Sequence, residues 1–152
     1  MYKHILIATD GSDLSWQAIE HGIALAKSVG AKVTVLTVSE HFYPSAFEPK
    51  MVEQYKEQVA ALAKKYLDVA KDAASASGVD CDLVRVEHDQ PYKAIIDTAE
   101  SRKCDVIVMA SHGRRGVSAI VLGSETIKVL THSTIPVIVI RGQSSAAFFA
   151  AS

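Results

Sequence analysis

The segment from Ala110 to Thr126, ASHGRRGVSAIVLGSET, combines three glycines with two arginines and a histidine. It follows the apolar run CDVIVM and leads into TIKVL, a run compatible with a helix. Glycine lets backbone N–H groups approach an anion closely. The first turn of a helix adds unpaired N–H groups and the positive end of a dipole. The segment therefore predicts a phosphate-binding loop, with a plain strand-to-helix connection as the alternative.

Several groups in this segment could hold a phosphate. The backbone between Gly113 and Ser124 would supply N–H donors, and the Ser124 hydroxyl could both cap the helix and donate to a phosphate oxygen. Arg114 and Arg115 would add positive charge, or form only a solvated loop surface. His112 lies inside the same segment, whereas the six histidines of the chain as a set do not show metal-ligand spacing.

Two well-known phosphate motifs do not fit this chain. The Walker signature needs a lysine after its last glycine, but Gly123 is followed by Ser124 and Glu125. The dinucleotide fingerprint would follow the first strand, where TDGSD has a single glycine. Asp10 in that turn predicts a ligand contact; the alternative is a plain turn in which an aspartate or the serine caps the first helix.

The whole chain alternates between two hydrophobic patterns. Short apolar runs predict buried strands, and apolar residues three and four apart predict helices. Gly30 and Gly78 stand where glycine commonly ends a helix, and Pro91 suits a first helical turn. The predicted order is strand 4–9, helix 13–29, strand 32–38, helix 51–77, strand 80–87, a helix from 91, strand 104–110, helix 124–132 and strand 135–141. On the longest helix the predicted apolar face comprises Val52, Tyr55, Val59, Leu62, Tyr66, Val69 and Ala73.

This alternation of strands and helices predicts an α/β fold, an open five-stranded parallel sheet of Rossmann-like type with helices on both faces. In such a sheet, ligands bind beyond the carboxyl ends of the strands, where the strand order reverses. The turn after the first strand and the segment after the fourth are the two loops equipped for this task. We therefore expect both loops to contribute to one site.

Composition restricts the classes of function. A chain of 152 residues with 49% hydrophobic and 22% charged residues is typical of one globular domain. A formal net charge of -1 gives no electrostatic basis for binding nucleic acid or an anionic membrane. The apolar runs are too short for a signal peptide or a membrane span, which favours a cytoplasmic location. Cys81 and Cys104 are expected to be reduced, with a disulfide or redox switch as the alternative.

From Tyr2 to Arg141 the chain resembles the universal stress protein family. The nucleotide-binding branch of that family carries glycine, two residues, glycine, nine residues, then glycine and serine or threonine. Here the spacing falls on Ala110, Gly113 and the pair Gly123–Ser124, with Ala110 in place of the first glycine. ATD after the first strand and VLTV in the second also resemble ligand-facing positions. The resemblance implies an adenine nucleotide alpha hydrolase-like sheet of strand order 3-2-1-4-5 and a domain over 1–141. Residues 142–152 show neither hydrophobic pattern and are expected to form a flexible tail.

The resemblance also implies a ligand, ATP or else ADP or AMP, accompanied by Mg²⁺ or Mn²⁺. The backbone at Gly113, Gly123 and Ser124 would hold the phosphates, and Asp10 would lie beside the ribose or the phosphate-bound cation. The other implied contacts are Ala8, Thr9, Val38 at the adenine edge, Ala110, His112, Arg114, Glu125 and Thr126. Alanine at position 110 costs about 1–2 kcal/mol if its φ is positive and almost nothing if its φ is negative.

The implied function is a nucleotide-dependent stress-response module with little or no turnover. Binding would order the loop over 113–123 and so change the surface shown to a regulatory protein partner. The resemblance allows at most slow ATP hydrolysis or self-phosphorylation, with Ser124 as one possible acceptor. The alternative is a homodimeric interaction protein that binds no nucleotide.

Two other chemistries find little support in the sequence. A receiver domain needs a lysine after the fifth strand, where Arg141 stands. A serine hydrolase of the nucleophile-elbow type needs a GxSxG motif, which the sequence lacks.

The last strand, IPVIVIR over 135–141, predicts an interface. It would lie at one edge of the sheet, where an apolar strand leaves a row of backbone groups unpaired. We therefore expect a two-fold homodimer in which this strand pairs antiparallel with its copy, as the family resemblance also implies.

Overall fold

The computed structural model describes residues 1–41, 48–113 and 121–142. Its five strands form one sheet in the order β3-β2-β1-β4-β5, and every neighbouring pair is parallel. The elements are β1 (His4–Ala8), α1 (Asp13–Val29), β2 (Lys32–Ser39), α2 (Pro49–Ala76), β3 (Cys81–Glu87), α3 (Pro91–Ser101), β4 (Val106–Ala110), α4 (Ser124–His132) and β5 (Val137–Ile140). The predicted α/β class and strand order are confirmed.

The helices cover both faces of the sheet in pairs. Because side chains alternate along a strand, Ile5 and Ile7 of β1 belong to the core beneath α1 and α2. Leu6 belongs to a second core, which includes Ile95 of α3 and Val129 of α4. The chain therefore changes face between its first and second halves, and β1 and β4 lie side by side at the reversal. Such a reversal opens a crevice beyond the carboxyl ends of the two strands.

Most helices begin and end where the capping residues of the sequence predict. The Ser12 side chain caps α1 by accepting a hydrogen bond from the Ser15 N–H at 3.2 Å. Gly30 and Gly78 both adopt φ of 71°, the left-handed conformation that commonly ends a helix. The end of α3 was not predicted, because no glycine marks it. Lys103 adopts the left-handed conformation there instead, with φ of 58°.

Helix α2 packs through a face that only partly overlaps the predicted one: Val52 is buried and Val59, Tyr66 and Ala73 are half-buried, but the other three predicted residues are exposed. Of the predicted face, Tyr55, Leu62 and Val69 are 45%, 43% and 44% exposed. The buried residues are Val52, Ala63, Leu67, Ala70 and Ala74. Small alanine side chains allow the helix to lie close to the sheet, although they contribute little to a hydrophobic pattern. Although α2 has 28 residues, no helix in the described ranges is long and apolar enough to cross a membrane.

The two cysteines are free and buried. Burial raises the pKa of the Cys81 thiol, and it raises the pKa of the Cys104 thiol to about 11. Both thiols are therefore protonated near neutral pH, which makes them poor nucleophiles. The expectation of reduced cysteines agrees with the structure.

His4 ties the start of β1 to two neighbouring segments. Its Nδ1–H donates to the carbonyl oxygen of Arg102 at 3.0 Å, so its Nε2 is the acceptor for the Thr34 hydroxyl at 2.7 Å. Burial, followed by the nearby charge of Lys32, lowers the pKa of His4 from its ordinary value of 6.5. The folded state therefore favours the neutral ring.

This preference predicts a loss of stability in mild acid. Below pH 6.5 the unfolded chain takes up a proton that the folded chain binds less readily, so the free energy of unfolding falls as pH falls through this range. In urea denaturation at about pH 7.5 and 5.5, we expect His4→Gln to lose less unfolding free energy between the two conditions than the wild type. His21→Gln, at an exposed position, should keep the wild-type dependence. Equal losses in all three proteins would contradict the role of His4.

Candidate functional site

The turn after β1 is held by its own hydroxyl and carboxylate groups. The buried Thr9 donates its N–H to the Leu36 carbonyl oxygen at 2.9 Å, and its Oγ1 accepts the Gly11 N–H at 3.2 Å. Asp10 Oδ1 accepts the Ser12 N–H at 2.9 Å. Gly11 has φ of 81°, which glycine adopts without strain. The cap of α1 is thus Ser12 and not Asp10. One Asp10 oxygen shapes the turn while the other points toward a second loop, and a ligand contact of Asp10 stays a prediction.

That second loop follows β4 and approaches the turn closely at Gly113. A Cβ atom on Gly113 would lie 2.5 Å from Asp10 Oδ2, well inside a normal contact. Only glycine leaves room for the carboxylate at this distance. The loops after β1 and β4, which are far apart in the sequence, thus meet at the predicted reversal of strand order.

Ala110 fits its position without backbone strain. It pairs with Ile140 at the end of β4, and Lys103 is the one non-glycine residue with positive φ in the described ranges. The left-handed conformation that would have made alanine costly is therefore not used. The methyl group instead belongs to the core beneath α1 and α2.

The start of α4 differs from the prediction in two respects. Gly123, not Ser124, is the N-cap, and no side chain caps this helix. The Gly123 N–H donates to the Ser111 carbonyl oxygen at 2.7 Å, so this amide is already occupied. A Cβ on Gly123 would also lie 3.0 Å from the His112 Cα, which explains the glycine by close packing.

The backbone N–H groups that remain available to an anion belong to the first turn of α4. The N–H groups of Ser124, Glu125 and Thr126 have no acceptor within the helix, because the first hydrogen bond inside α4 runs from the Ile127 N–H to the Gly123 carbonyl oxygen at 3.0 Å. The positive end of the helix dipole lies at the same point. The amides available to an anion therefore begin at Ser124, one residue later than the predicted Gly123.

Ser111 provides a buried hydroxyl beside this turn. The residue is 1% exposed, and its Oγ has no hydrogen-bond partner among the described residues. The Ser111 N–H continues the β4 ladder to the Ile140 carbonyl oxygen at 2.8 Å. Alternation places Ser111 on the face of Ile107 and Met109, which α4 covers. A buried polar group without a partner is rare in folded proteins, and a ligand atom would satisfy it.

On the other side of the crevice, β2 extends past the end of β1. The Leu36 carbonyl faces β1, since it accepts the Thr9 N–H. Strand geometry repeats every two residues, so the N–H and C=O of Val38 also face that side, beyond the last residue of β1. Ala8 and Val38 are half-buried against the same core. The two residues thus line one side of the crevice, with Val38 offering a backbone donor and acceptor.

Three other side chains from the predicted set make contacts within the protein. The Thr126 hydroxyl is buried and donates to the Ala110 carbonyl oxygen at 2.9 Å. Glu125 Oε2 accepts the Tyr92 N–H at 2.8 Å. His112 Nδ1 lies 3.3 Å from the Gly113 carbonyl oxygen. These side chains hold the loops and helices in place, so any ligand contact from Glu125 or Thr126 would come from the backbone.

Some predicted contacts cannot be placed in this way. Arg114 and Arg115 lie outside the described residues, as does the tail after Gly142. In the part of the chain that the structure describes, no group of three or more histidine, cysteine, aspartate or glutamate residues could hold a metal ion. Asp10 alone of the predicted residues brings a carboxylate to the crevice.

The importance of Ser111 was not predicted, although its place between Ala110 and Gly113 in the motif was a usable signal. The link between Tyr92 and Glu125 spans 33 positions of sequence and leaves no local signal. Tertiary structure alone shows it.

The sequence profile of the universal stress protein family matches residues 1–141. Universal stress protein MJ0531 of Methanocaldococcus jannaschii is 34% identical over 145 residues, with 93% of this chain and 83% of the relative covered. Universal stress protein YxiE of Bacillus subtilis is 28% identical over 153 residues, with 93% of this chain and 100% of the relative covered. Sequence similarity thus extends over nearly the whole chain.

Solved structures share this architecture. Hypothetical protein MJ0577 superposes with a TM-score of 0.79 at 30% identity, over 95% of this chain and 99% of that one. A universal stress protein solved in complex with cAMP gives 0.70 at 24% identity, over 91% and 97%. One from Archaeoglobus fulgidus in complex with dAMP gives 0.65 at 21% identity, over 91% and 98%. The latter two comparisons establish a common fold.

Proposed function

This chain belongs to the universal stress protein family, and we propose that it binds an adenine nucleotide across the carboxyl ends of β1 and β4. The observation that carries the proposal is the buried hydroxyl of Ser111, which has no partner among the described residues. The Ser111 carbonyl oxygen accepts the N–H of Gly123, the N-cap of α4, so this residue adjoins the first turn of that helix. Together the Ser111 hydroxyl and the first-turn amides form a set of donors suited to phosphate oxygens.

The phosphates would lie against α4. The N–H groups of Ser124, Glu125 and Thr126 would donate to them, assisted by the exposed Ser124 hydroxyl and by Ser111. Gly113 contributes by lacking a side chain, since any Cβ there would meet the Asp10 carboxylate. The anion would also gain from the helix dipole, an effect worth about 0.3–1 kcal/mol at an exposed helix end.

The nucleoside would lie across β1 and β2. The N–H and C=O of Val38 would pair with the adenine edge, and Ala8 would contact the base from the end of β1. Asp10 Oδ2 would lie beside the ribose or a phosphate-bound Mg²⁺ or Mn²⁺. Two other proteins of this fold have been solved in complex with cAMP and dAMP, which supports an adenine nucleotide as the ligand.

We further propose ATP as the physiological ligand, with ADP and AMP as alternative occupants. A nucleotide in this position would bridge the turn that leads into α1 and the start of α4, and these two helices cover opposite faces of the sheet. Binding would therefore favour one arrangement of the two faces and change the surface available to a regulatory partner. This is a sensing role that needs little or no turnover.

The first test is release of bound nucleotide. We expect mass spectrometry of the purified, denatured protein to detect ATP, ADP or AMP in substantial molar ratio. If the protein is purified empty, titration with ATP and Mg²⁺ should show saturable binding by calorimetry. No nucleotide released and none bound on titration would favour the alternative, a stress protein that acts through protein contacts alone.

A substitution at Gly113 tests the location of the phosphates. Gly113→Ala places a Cβ 2.5 Å from Asp10 Oδ2, and the flexible carboxylate can move aside into the ligand's space. We expect ATP affinity to fall roughly tenfold, equivalent to about 1.4 kcal/mol, with the melting temperature nearly unchanged. Gly142→Ala is the matched control, because its Cβ would make an ordinary contact with Leu14 at 3.6 Å. Full affinity in Gly113→Ala would place the phosphates elsewhere.

We also propose that the protein forms a homodimer through 135–141. Among the residues that the structure describes, strand β5 pairs only with β4 and lies at the edge of the sheet. The carbonyls of Pro136 and Ile140 face β4, since they accept the N–H groups of Ile107 and Ser111. Alternation therefore turns the backbone groups of Val137 and Val139 outward. These outward-facing N–H and C=O groups are available for antiparallel pairing with a second copy of the chain.

A proline at this edge tests the dimer. Val139→Pro removes an outward N–H without removing a hydrogen bond to β4, so the fold should be retained. We expect light scattering at micromolar concentration to show a dimer for the wild type and a shift toward monomer for Val139→Pro. Val139→Thr keeps both the N–H and the branched shape, and should remain dimeric. A monomeric wild type would refute the dimer and leave nucleotide binding untouched.

A further inference from the structure

Glu125 lies in the first turn of α4 but makes its principal contact with α3. Its Oε2 accepts the Tyr92 N–H at 2.8 Å. The side chain is 36% exposed, so the contact is partly shielded from water. A hydrogen bond to a charged acceptor is roughly twice as strong as one between neutral groups. This bond joins the beginnings of two helices that are consecutive along the chain and cover the same face of the sheet.

The start of α3 has one amide that its own helix leaves without an acceptor. Gln90 is the N-cap but makes no side-chain capping bond, and Pro91 has no N–H. The N–H groups of Lys93 and Ala94 both donate to the Gln90 carbonyl oxygen, at 3.1 and 3.3 Å. Tyr92 is thus the remaining donor of this turn, and the Glu125 carboxylate satisfies it from the neighbouring helix.

Three further contacts extend this link along α4. Lys128 Nζ lies 3.5 Å from Glu125 Oε1 and 5.6 Å from the centre of the Tyr92 ring. The ring of His132 lies 5.3 Å from the Tyr92 ring, centre to centre. We call Tyr92, Glu125, Lys128 and His132 the α3–α4 clamp. It fixes α4 against α3 over two turns, starting at the turn whose amides face the proposed ligand.

The direction of the Glu125 carboxylate has an electrostatic consequence. A carboxylate in the first turn of a helix competes with an anionic ligand for the same N–H groups and dipole. Here the carboxylate is directed to the start of α3 and is partly balanced by Lys128. The first-turn amides of α4, those of Ser124, Glu125 and Thr126, are therefore left to a ligand.

From these contacts we infer that Glu125 is a positioning residue for phosphate binding. It holds the first turn of α4 in place and does not contact the nucleotide through its side chain. This inference rests on the proposed function. It replaces the implied role of Glu125 as a nucleotide contact with a role in orienting the amides that make the contact.

The test compares two ligands on four proteins. ADP with Mg²⁺ carries phosphates, whereas adenosine carries none, and both are titrated by calorimetry. The proteins are the wild type, Glu125→Ala, Glu125→Gln and Glu100→Ala. Glu100→Ala is the matched control, because it removes the same atoms and charge from an exposed position on α3.

We expect Glu125→Ala to weaken ADP binding roughly tenfold and to leave adenosine binding unchanged. Glu125→Gln should restore ADP binding, because its amide oxygen can still accept the Tyr92 N–H. Glu100→Ala should match the wild type. In the unliganded Glu125→Ala protein, hydrogen exchange of the Tyr92 amide should become faster while the Glu125→Gln protein keeps its protection.

Two results would overturn the positioning role while leaving nucleotide binding in place. Equal losses for ADP and adenosine would indicate a general distortion of the crevice. A Glu125→Gln protein that binds ADP as weakly as Glu125→Ala, although its Tyr92 amide keeps the wild-type protection from exchange, would show that the carboxylate charge itself contacts the ligand or its cation. A wild type that binds neither compound would refute the proposed function and the positioning role together, and the exchange data would then report only on the clamp.

Discussion

The approach of Asp10 to Gly113 is the constraint on which the candidate site depends. It brings the turn after β1 to the loop after β4, where a Cβ on Gly113 would lie 2.5 Å from the carboxylate. The sheet makes this possible because β1 and β4 are neighbours although a hundred residues separate them along the chain. A parallel sheet places the carboxyl ends of both strands at one edge. Without that arrangement, the glycines and the aspartate would belong to two unrelated turns.

The site divides its polar groups into two sets. The side chains of Thr9, Glu125 and Thr126 hold the surrounding elements through hydrogen bonds within the protein. The groups left for a ligand are largely backbone amides of α4 and the backbone of Val38, together with the Ser111 hydroxyl. Backbone donors are fixed by the fold and lose little conformational entropy on binding. A site built this way is preorganised, provided that α4 is held firmly.

The α3–α4 clamp meets that requirement from outside the crevice. Helix α4 has nine residues, and so short a helix is marginal without tertiary contacts. Val129 anchors it in the core, while Glu125 connects its first turn to α3. The same bond completes the capping of α3, so each helix stabilises the start of the other. The stability of the scaffold and the geometry of the candidate site thus depend on the same contact.

The sequence alone determined the class of the fold, since strands and helices differ in hydrophobic period and the glycines and prolines mark where they end. It also located the candidate site in two loops, because residue type and spacing carry that signal locally. The predicted face of α2 was right in part: Tyr55, Leu62 and Val69 fit a helical period but are exposed, because alanines make the close contact with the sheet. Only the tertiary structure decided that the Gly123 N–H donates to the Ser111 carbonyl oxygen and that Ala110 carries no backbone strain. It also decided that the Glu125 carboxylate accepts the Tyr92 N–H. The physical reason is that a hydrogen-bond partner or a close approach depends on residues distant in sequence, whereas periodicity and capping depend on neighbours.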